Sequence, residues 1–307
     1  MKLTFLGTGT SHGVPVIACD CAVCKSTDSR NKRTRSAAYI EISEKSPSLQ
    51  GNTQYILIDV GPDFREQALR EDIRQIDAVL LTHSHADHLH GIDDLRNFSC
   101  IMSNKPDNPR NKKYDKPPIP IYTNHLAAEH LKHSFDYLFN EHAEGGGHAK
   151  ISLHETQAGD SFSIGNTIIT PIPMLHGSLE TTGWLLTEQT DSSPAKKSIA
   201  YLTDCNYISD ESIQLIHKAA AIKEGGCLVH LVIDGLRIKE HSTHFNFLQA
   251  LEAAGKIGAE HIWFTHLTHN SSHEETAAYI EEHRKEFPGL AGAGSILPAY
   301  DGLVIET

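Results

Sequence analysis

The chain has 307 residues, 39% of them hydrophobic and 21% charged, a composition that fits one large globular domain or two smaller ones. No apolar run reaches the roughly 18 residues that a membrane-spanning helix needs, and the opening MKLTFL gives way to Gly and Thr too soon for a secretory signal, so a cytoplasmic protein is expected. The net charge of −12, from 39 acidic and 27 basic residues, repels a nucleic-acid backbone unless a strong local basic patch offsets it.

Along the chain, Leu3–Leu6 predicts a first strand and the glycine-rich TGTSHG after it a loop. That loop runs into Cys19, Cys21 and Cys24, three thiols within six residues. Such crowding in a cytoplasmic chain points to a metal before a disulfide, with three reduced thiols as the plainer alternative. Strands follow at Ala37–Ile42, Tyr55–Asp59 and Ala78–Thr82, with a helix at Asp63–Arg70. Helix Gly91–Phe98, strand Ile119–Tyr122 and helix Leu126–Phe139 come next. The second half predicts strands at Thr167–Ile172, Gly183–Leu186, Ile199–Thr203, Cys227–Ile233, His261–Thr265 and Gly302–Ile305. Helices Asp210–Lys223, Phe245–Gly255 and His273–Lys285 lie among them, the first marked by the stripe Ile213, Ile216, Ala220. Ser43–Thr53, Met102–Pro118, Glu144–Gly147 and Glu188–Lys197 are loops by composition. The basic run Lys105–Lys116 is rich in Pro and Asn and reads as a solvated loop. With no linker in view, the pattern predicts one α/β domain over residues 1–307, sheets inside and helices outside. Cys100, Cys205 and Cys227 are scattered and read as packed thiols.

The chemistry concentrates after the strand Ala78–Leu81. There the chain reads Thr82-His83-Ser84-His85-Ala86-Asp87-His88, four ligand-type side chains within six residues. Imidazoles and a carboxylate suit divalent first-row metals, and this many can fill two adjacent sites. Two metals need further ligands, and three residues just past apolar runs fit that role: His176 in PMLHG, Asp204 in YLTDC and His266 in WFTH. Asp59, in LIDVG, can cap the turn before Gly61 and Pro62. The cysteine cluster is one ligand short of a tetrahedral zinc site, and His269, three residues after His266, is the candidate for the fourth.

THSHADH followed by His176, Asp204 and His266 resembles the metallo-β-lactamase superfamily, which implies an αββα sandwich with metals at one edge. By that resemblance His83, His85 and His176 hold one metal, Asp87, His88 and His266 the other, Asp204 bridges them, and Asp59 matches a position that orients a ligand imidazole, its alternative to the turn cap. TGTSHGVPVIACDCAVC with HSHADHLHGIDDLR is similar, over nearly the full chain, to the phosphoribosyl cyclic phosphate phosphodiesterases of phosphonate (carbon–phosphorus lyase) metabolism. In that family three Cys and the His of THxxH bind a structural zinc, which corresponds here to Cys19, Cys21, Cys24 and His269 in an N-terminal loop at about residues 13–25. A further family His near the phosphate corresponds to His244 in HSTHFN, with His241 as its competitor. The resemblance implies two catalytic Mn2+ or Zn2+ ions and attack on a small cyclic ribosyl phosphodiester by a hydroxide held between them. His244 and Asp87 are its candidate catalytic residues, His244 as proton donor or phosphate ligand.

Other readings stay open on the motif alone: a thioester, lactone or lactam hydrolase, a relative of the pyrroloquinoline quinone biosynthesis proteins, a tRNA 3′-end endonuclease, or a metal-binding scaffold without turnover. The acidic charge speaks against the endonuclease, and the intact HxHxDH against the quinone-biosynthesis relatives. The expected partner is a small-molecule phosphodiester, with neither nucleic acid nor membrane; a homodimer is admitted.

Overall fold

The computed structural model describes residues 1–43, 53–99, 117–139, 148–189 and 196–307. Cys100, the run Lys105–Lys116, the turn Glu144–Gly147 and most of the other expected loops lie outside these residues.

Two seven-stranded mixed sheets face each other. In the first, β1 (Lys2–Gly7), β2 (Ala37–Ile42) and β3 (Gln54–Ile58) form an antiparallel meander. It continues in parallel through β4 (Ala78–Leu80), β5 (Ile119–Thr123) and β6 (Ile151–Glu155). The second starts antiparallel with β7 (Phe162–Ile164), β8 (Thr167–His176), β9 (Leu179–Glu188) and β10 (Lys197–Leu202). It turns parallel through β11 (Cys227–Asp234), β12 (His261–Thr265) and β13 (Ser295–Pro298), while β14 (Val304–Glu306) returns to pair with β1.

The period of two along each strand sorts side chains into layers. Ile56, Ile58, Leu80, Tyr201 and Val232 point between the sheets and pack with Phe5 and Trp184. Their neighbours Leu57 and Val79 point outward onto α1 (Phe64–Arg70), α2 (Ala86–Leu89) and α4 (His125–Ser134), through Phe64, Leu89 and Leu131. On the far side Leu231 and Ile233 meet α5 (Asp210–Ala219), α6 (Phe247–Ile257) and α7 (His273–His283), through Ile216, Leu251 and Ile280. The result is the αββα sandwich. Strands covered on both faces carry near-continuous apolar runs, as in the Leu228–Ile233 stretch of β11. Trp184 is fully buried between the sheets, and its truncation to Ala would cost about 3–5 kcal/mol.

The local signals are consistent with these elements. α6 and α7 open with capping boxes, Asn246 with Gln249 and Ser272 with Glu275, each satisfying two otherwise unpaired N–H groups. The expected helix Gly91–Phe98 is a 3-10 turn, Ile92–Leu95, running into α3 (Arg96–Ser99). β8 is longer than its predicted run despite Pro171 and Pro173. β7 pairs it only through Thr167–Ile169, so neither proline interrupts a ladder on that side.

Candidate metal centre

The parallel strands β10, β11 and β12 deliver their C-terminal ends to one edge, where Asp204, Asp234 and His266 emerge side by side. β4 brings the HxHxDH segment to that edge from the first sheet. Asp59 organises this meeting. Its carboxylate accepts from Thr82 N at 2.8 Å and Thr82 Oγ1 at 2.9 Å, and lies 2.7 Å from His88 Nδ1. Of the two roles open to Asp59, orienting an imidazole is the one this geometry supports. Gly61 lies so close to the ligand segment that a Cβ there would sit 2.0 Å from Asp87 O. Val60 N donates to His88 O at 2.8 Å across the same contact.

Held this way, His88 Nε2 lies 3.1 Å from Asp204 Oδ2 and 3.3 Å from Asp87 Oδ2. Asp204 Oδ1 is 3.0 Å from His266 Nδ1, and Oδ2 is 3.9 Å from His83 Nε2. Ligand-type atoms of Asp87, His88, Asp204 and His266 lie within 4.8 Å of one another, as do those of His83, His85 and His176. His176 Nδ1 donates to Thr243 O at 2.7 Å, which leaves Nε2 with its lone pair. The seven residues singled out as catalytic ligands are therefore brought to one place. They fit metal ions on a further observation: His83 Nε2 is buried with no hydrogen-bond partner, a cost a coordinated cation would remove.

The electrostatics agree. Burial pushes the His83 and His176 imidazoles toward the neutral, ligating form. Burial opposes charge on Asp204, yet His266 and His88 hold its carboxyl well below the ordinary range. Burial opposes charge on His88 as well, but Asp204, Asp87 and Asp59 draw a proton onto it. The carboxylates that favour a charged His88 would equally favour a divalent cation among them.

His244 sits beside these groups, its ring 4.4 Å from that of His176 and 4.7 Å from that of His266. Its Nδ1 is 2.7 Å from Asp234 Oδ2, an acceptor that also takes Cys205 N at 3.0 Å. Burial works against the imidazolium, but the Asp234 charge and hydrogen bond lift His244 to about 9. His241 is exposed, with its ring 5.2 Å from that of His244. Of the two, His244 is the one at the centre. Asp234 was missed by sequence reasoning, although the strand-end signal that picked Asp204 and His266 applies to it equally. A cavity of about 700 Å3 opens beside His85, lined also by His90, His130, Phe135 and Leu179.

At the far end of the same chain segment, Cys19, Cys21 and Cys24 place their sulfurs 3.3, 3.5 and 3.4 Å from His269 Nδ1. Zn–S bonds of about 2.3 Å and Zn–N bonds of about 2.05 Å in a tetrahedron require an S···N separation of roughly 3.5 Å. The Cys24 N–H bond to Cys21 holds that thiol down to about 6, whereas burial lifts Cys24 to about 11. All five described cysteines are free thiols, Cys205 fully buried and Cys227 half-buried against Glu260.

Fold and site together define a metal-dependent hydrolase of the metallo-β-lactamase type. Residues 54–267, more than two thirds of the chain, match the family model for the beta-lactamase superfamily domain, and the chain belongs to that superfamily as a PhnP-like member. It is similar to the crystal structure of a new diphosphatase from the PhnP family, with 34% identity, coverage of 100% of this chain and 97% of that one, and a TM-score of 0.73. Zinc-bound PqqB from Methylobacterium extorquens shares the fold, at 17% identity, full coverage of both chains and a TM-score of 0.68. A curated relative, the octanoyltransferase of Porphyromonas gingivalis strain W83, is 31% identical over 304 residues, 99% of this chain and 51% of its own. The chain thus spans about half the length of that relative. No helix among the described residues is long and apolar enough to cross a membrane.

Proposed function

We propose that the chain is a phosphodiesterase that hydrolyses a small phosphodiester, a cyclic ribosyl phosphate in the first instance, at a pair of divalent metals. His83, His85 and His176 would hold one metal, Asp87, His88 and His266 the other, with Asp204 between them. A separate structural zinc would occupy Cys19, Cys21, Cys24 and His269. When bound, the catalytic pair, Mn2+ or Zn2+, supplies a strong nucleophile at neutral pH and neutralises charge on the phosphoryl oxygens.

The observation that carries this reading is the buried Asp234–His244 pair beside the ligands His176 and His266. An imidazole kept protonated by a buried carboxylate suits a phosphoryl oxygen or a departing alkoxide, both of which gain negative charge. The likeness to a PhnP-family diphosphatase supports the same chemistry. The substrate is taken to be a small molecule because a net charge of −12 opposes a nucleic-acid polymer.

A second reading, hydrolysis of an acyl thioester, takes its support from the octanoyltransferase, a protein with about half its length outside the match. A panel of cyclic ribosyl phosphate, open nucleoside diphosphate and octanoyl thioester, run on metal-reconstituted enzyme and on His244→Ala, separates the two. Phosphodiester turnover that falls about 100-fold or more in His244→Ala supports the proposal, within the 10²–10⁴-fold typical of such groups. Preference for the thioester overturns it.

A further inference from the structure

The motif TGTS, Thr8 to Ser11, lies between the first strand and the cysteine loop. Its chain runs along the segment that carries His266. Leu267 N donates to Thr8 O at 2.9 Å, and Thr10 N donates to Leu267 O at 3.2 Å, so backbone pairing clasps the residue next to the ligand. The returning strand closes the clasp, with Gly9 N donating to Thr34 O at 2.8 Å and Ser36 N to Gly9 O at 3.0 Å. Inside the clasp two hydroxyls face the imidazole. Thr10 Oγ1 is 3.1 Å from His266 Nε2, and Ser36 Oγ is 3.2 Å from Nδ1. Ser36 Oγ also donates to Gly9 O at 3.0 Å, which commits its proton to the backbone. All three side chains are buried.

His266 needs such holding. Its φ of +60° is a left-handed conformation that an imidazole-bearing residue adopts at a cost and keeps only when its surroundings impose it. Its Nδ1 is the ring nitrogen turned toward Asp204 Oδ1, at 3.0 Å. Nε2–H donating to Thr10 would fix both the tautomer and the plane of the ring.

We infer that Thr10 is a positioning residue of the metal centre: its hydroxyl accepts the Nε2–H of His266 and so sets the nitrogen that this residue offers to a cation. The inference rests on the reading of Asp87, His88, Asp204 and His266 as metal ligands and not on which substrate the enzyme takes. It also assigns the N-terminal loop a part in the centre apart from the cysteine cluster, because Thr8 is pinned without any metal. Thr8 N and Oγ1 donate to Asp301 at 2.9 and 2.8 Å, and Arg33 Nη1 donates to Thr8 Oγ1 at 2.7 Å.

The test compares Thr10→Val, which keeps the shape and removes the hydroxyl, with Thr10→Ser, which keeps the hydroxyl. Chelator competition on cobalt-substituted protein follows the catalytic site by its d–d absorption and the cysteine site by thiolate-to-cobalt charge transfer. Thr10→Val should bind catalytic cobalt about 10- to 100-fold more weakly, the usual cost of removing a partner of a ligating His, while the thiolate band is unchanged. Thr10→Ser should restore most of that affinity. Wild-type affinity in Thr10→Val, or equal losses in both variants, would overturn the inference. Should Thr10→Val fail to fold, the metal-loaded native chain decides the matter by 15N NMR. A slowly exchanging Nε2–H on His266 supports the assignment, and a metal-bound Nε2 refutes it. A wrong substrate class would leave all these metal readouts intact.

Discussion

Replacing Asp234 with Asn tests the role given to His244 without touching any proposed metal ligand. The carboxylate lies 2.7 Å from His244 Nδ1 and is itself fully buried. It lifts the imidazole from the ordinary 6.5 to about 9 against the pull of burial, which at about 1.4 kcal/mol per tenfold is a preference of roughly 3 kcal/mol for the charged form. The interaction is lost as pH climbs through about 9, where His244 gives up its proton, and it fades again in acid because burial lifts Asp234 itself to about 6. Wild-type kcat/KM should therefore have an alkaline limb above neutrality, short of 9 to the extent that bound cations beside His176 and His266 oppose the imidazolium. Asn keeps the size but not the charge, so burial and the neighbouring imidazoles should pull His244 below 6.5. At pH 7 the protonated fraction then drops from nearly all to about a quarter or less. The assay is kcat/KM against pH on metal-saturated enzyme, with His244 followed by 15N NMR. In Asp234→Asn the alkaline limb should move below neutrality while metal content stays at the wild-type level. A limb that stays at its wild-type position would show that Asp234 does not hold His244 charged, whatever the absolute rate.

Asp204→Ala removes the carboxylate that lies between His88 and His266; it should abolish turnover and lower catalytic metal content by elemental analysis, with the fold retained by circular dichroism. Cys21→Ser replaces a thiolate with a weak neutral ligand; it should release zinc and lower the melting temperature by more than it slows chemistry, so an unchanged melt with unchanged zinc would rule the cluster out as a metal site. Gly61→Ala drives a Cβ to 2.0 Å from Asp87 O, a clash no rotamer relieves; the variant should lose catalytic metal affinity in isothermal titration and melt several degrees lower.

How far the sequence could be read depended on whether a feature is local. HxHxDH and the strand-end ligands are visible because apolar runs announce the strands that deliver them, and CxCxxC because its spacing alone suits a metal. β6, β7 and β13 escaped because each is short and lies at or beside a sheet edge, where burial is partial and the period-two pattern fades. Pro171 and Pro173 cut the predicted β8 short, since sequence alone does not show that β7 leaves that flank unpaired. The left-handed backbone of Asp59 and His266, both at φ +60°, follows from contacts far away in the chain. So does the Thr10–His266 contact, which spans 256 residues. Asp234 is the one omission that the strand-end argument itself could have filled.

At this edge, metals on the seven ligands are proposed to hydrolyse a phosphodiester. Steady-state hydrolysis of a five-membered cyclic ribosyl phosphate, measured with catalytic metal occupancy counted on the same sample, tests it most directly. Turnover should rise with occupancy to two catalytic ions per chain, disappear on chelation with the cysteine-bound zinc still in place, and fall about 10²–10⁴-fold in His244→Ala. Fully loaded enzyme that leaves the cyclic phosphate intact while cleaving octanoyl thioester would contradict it.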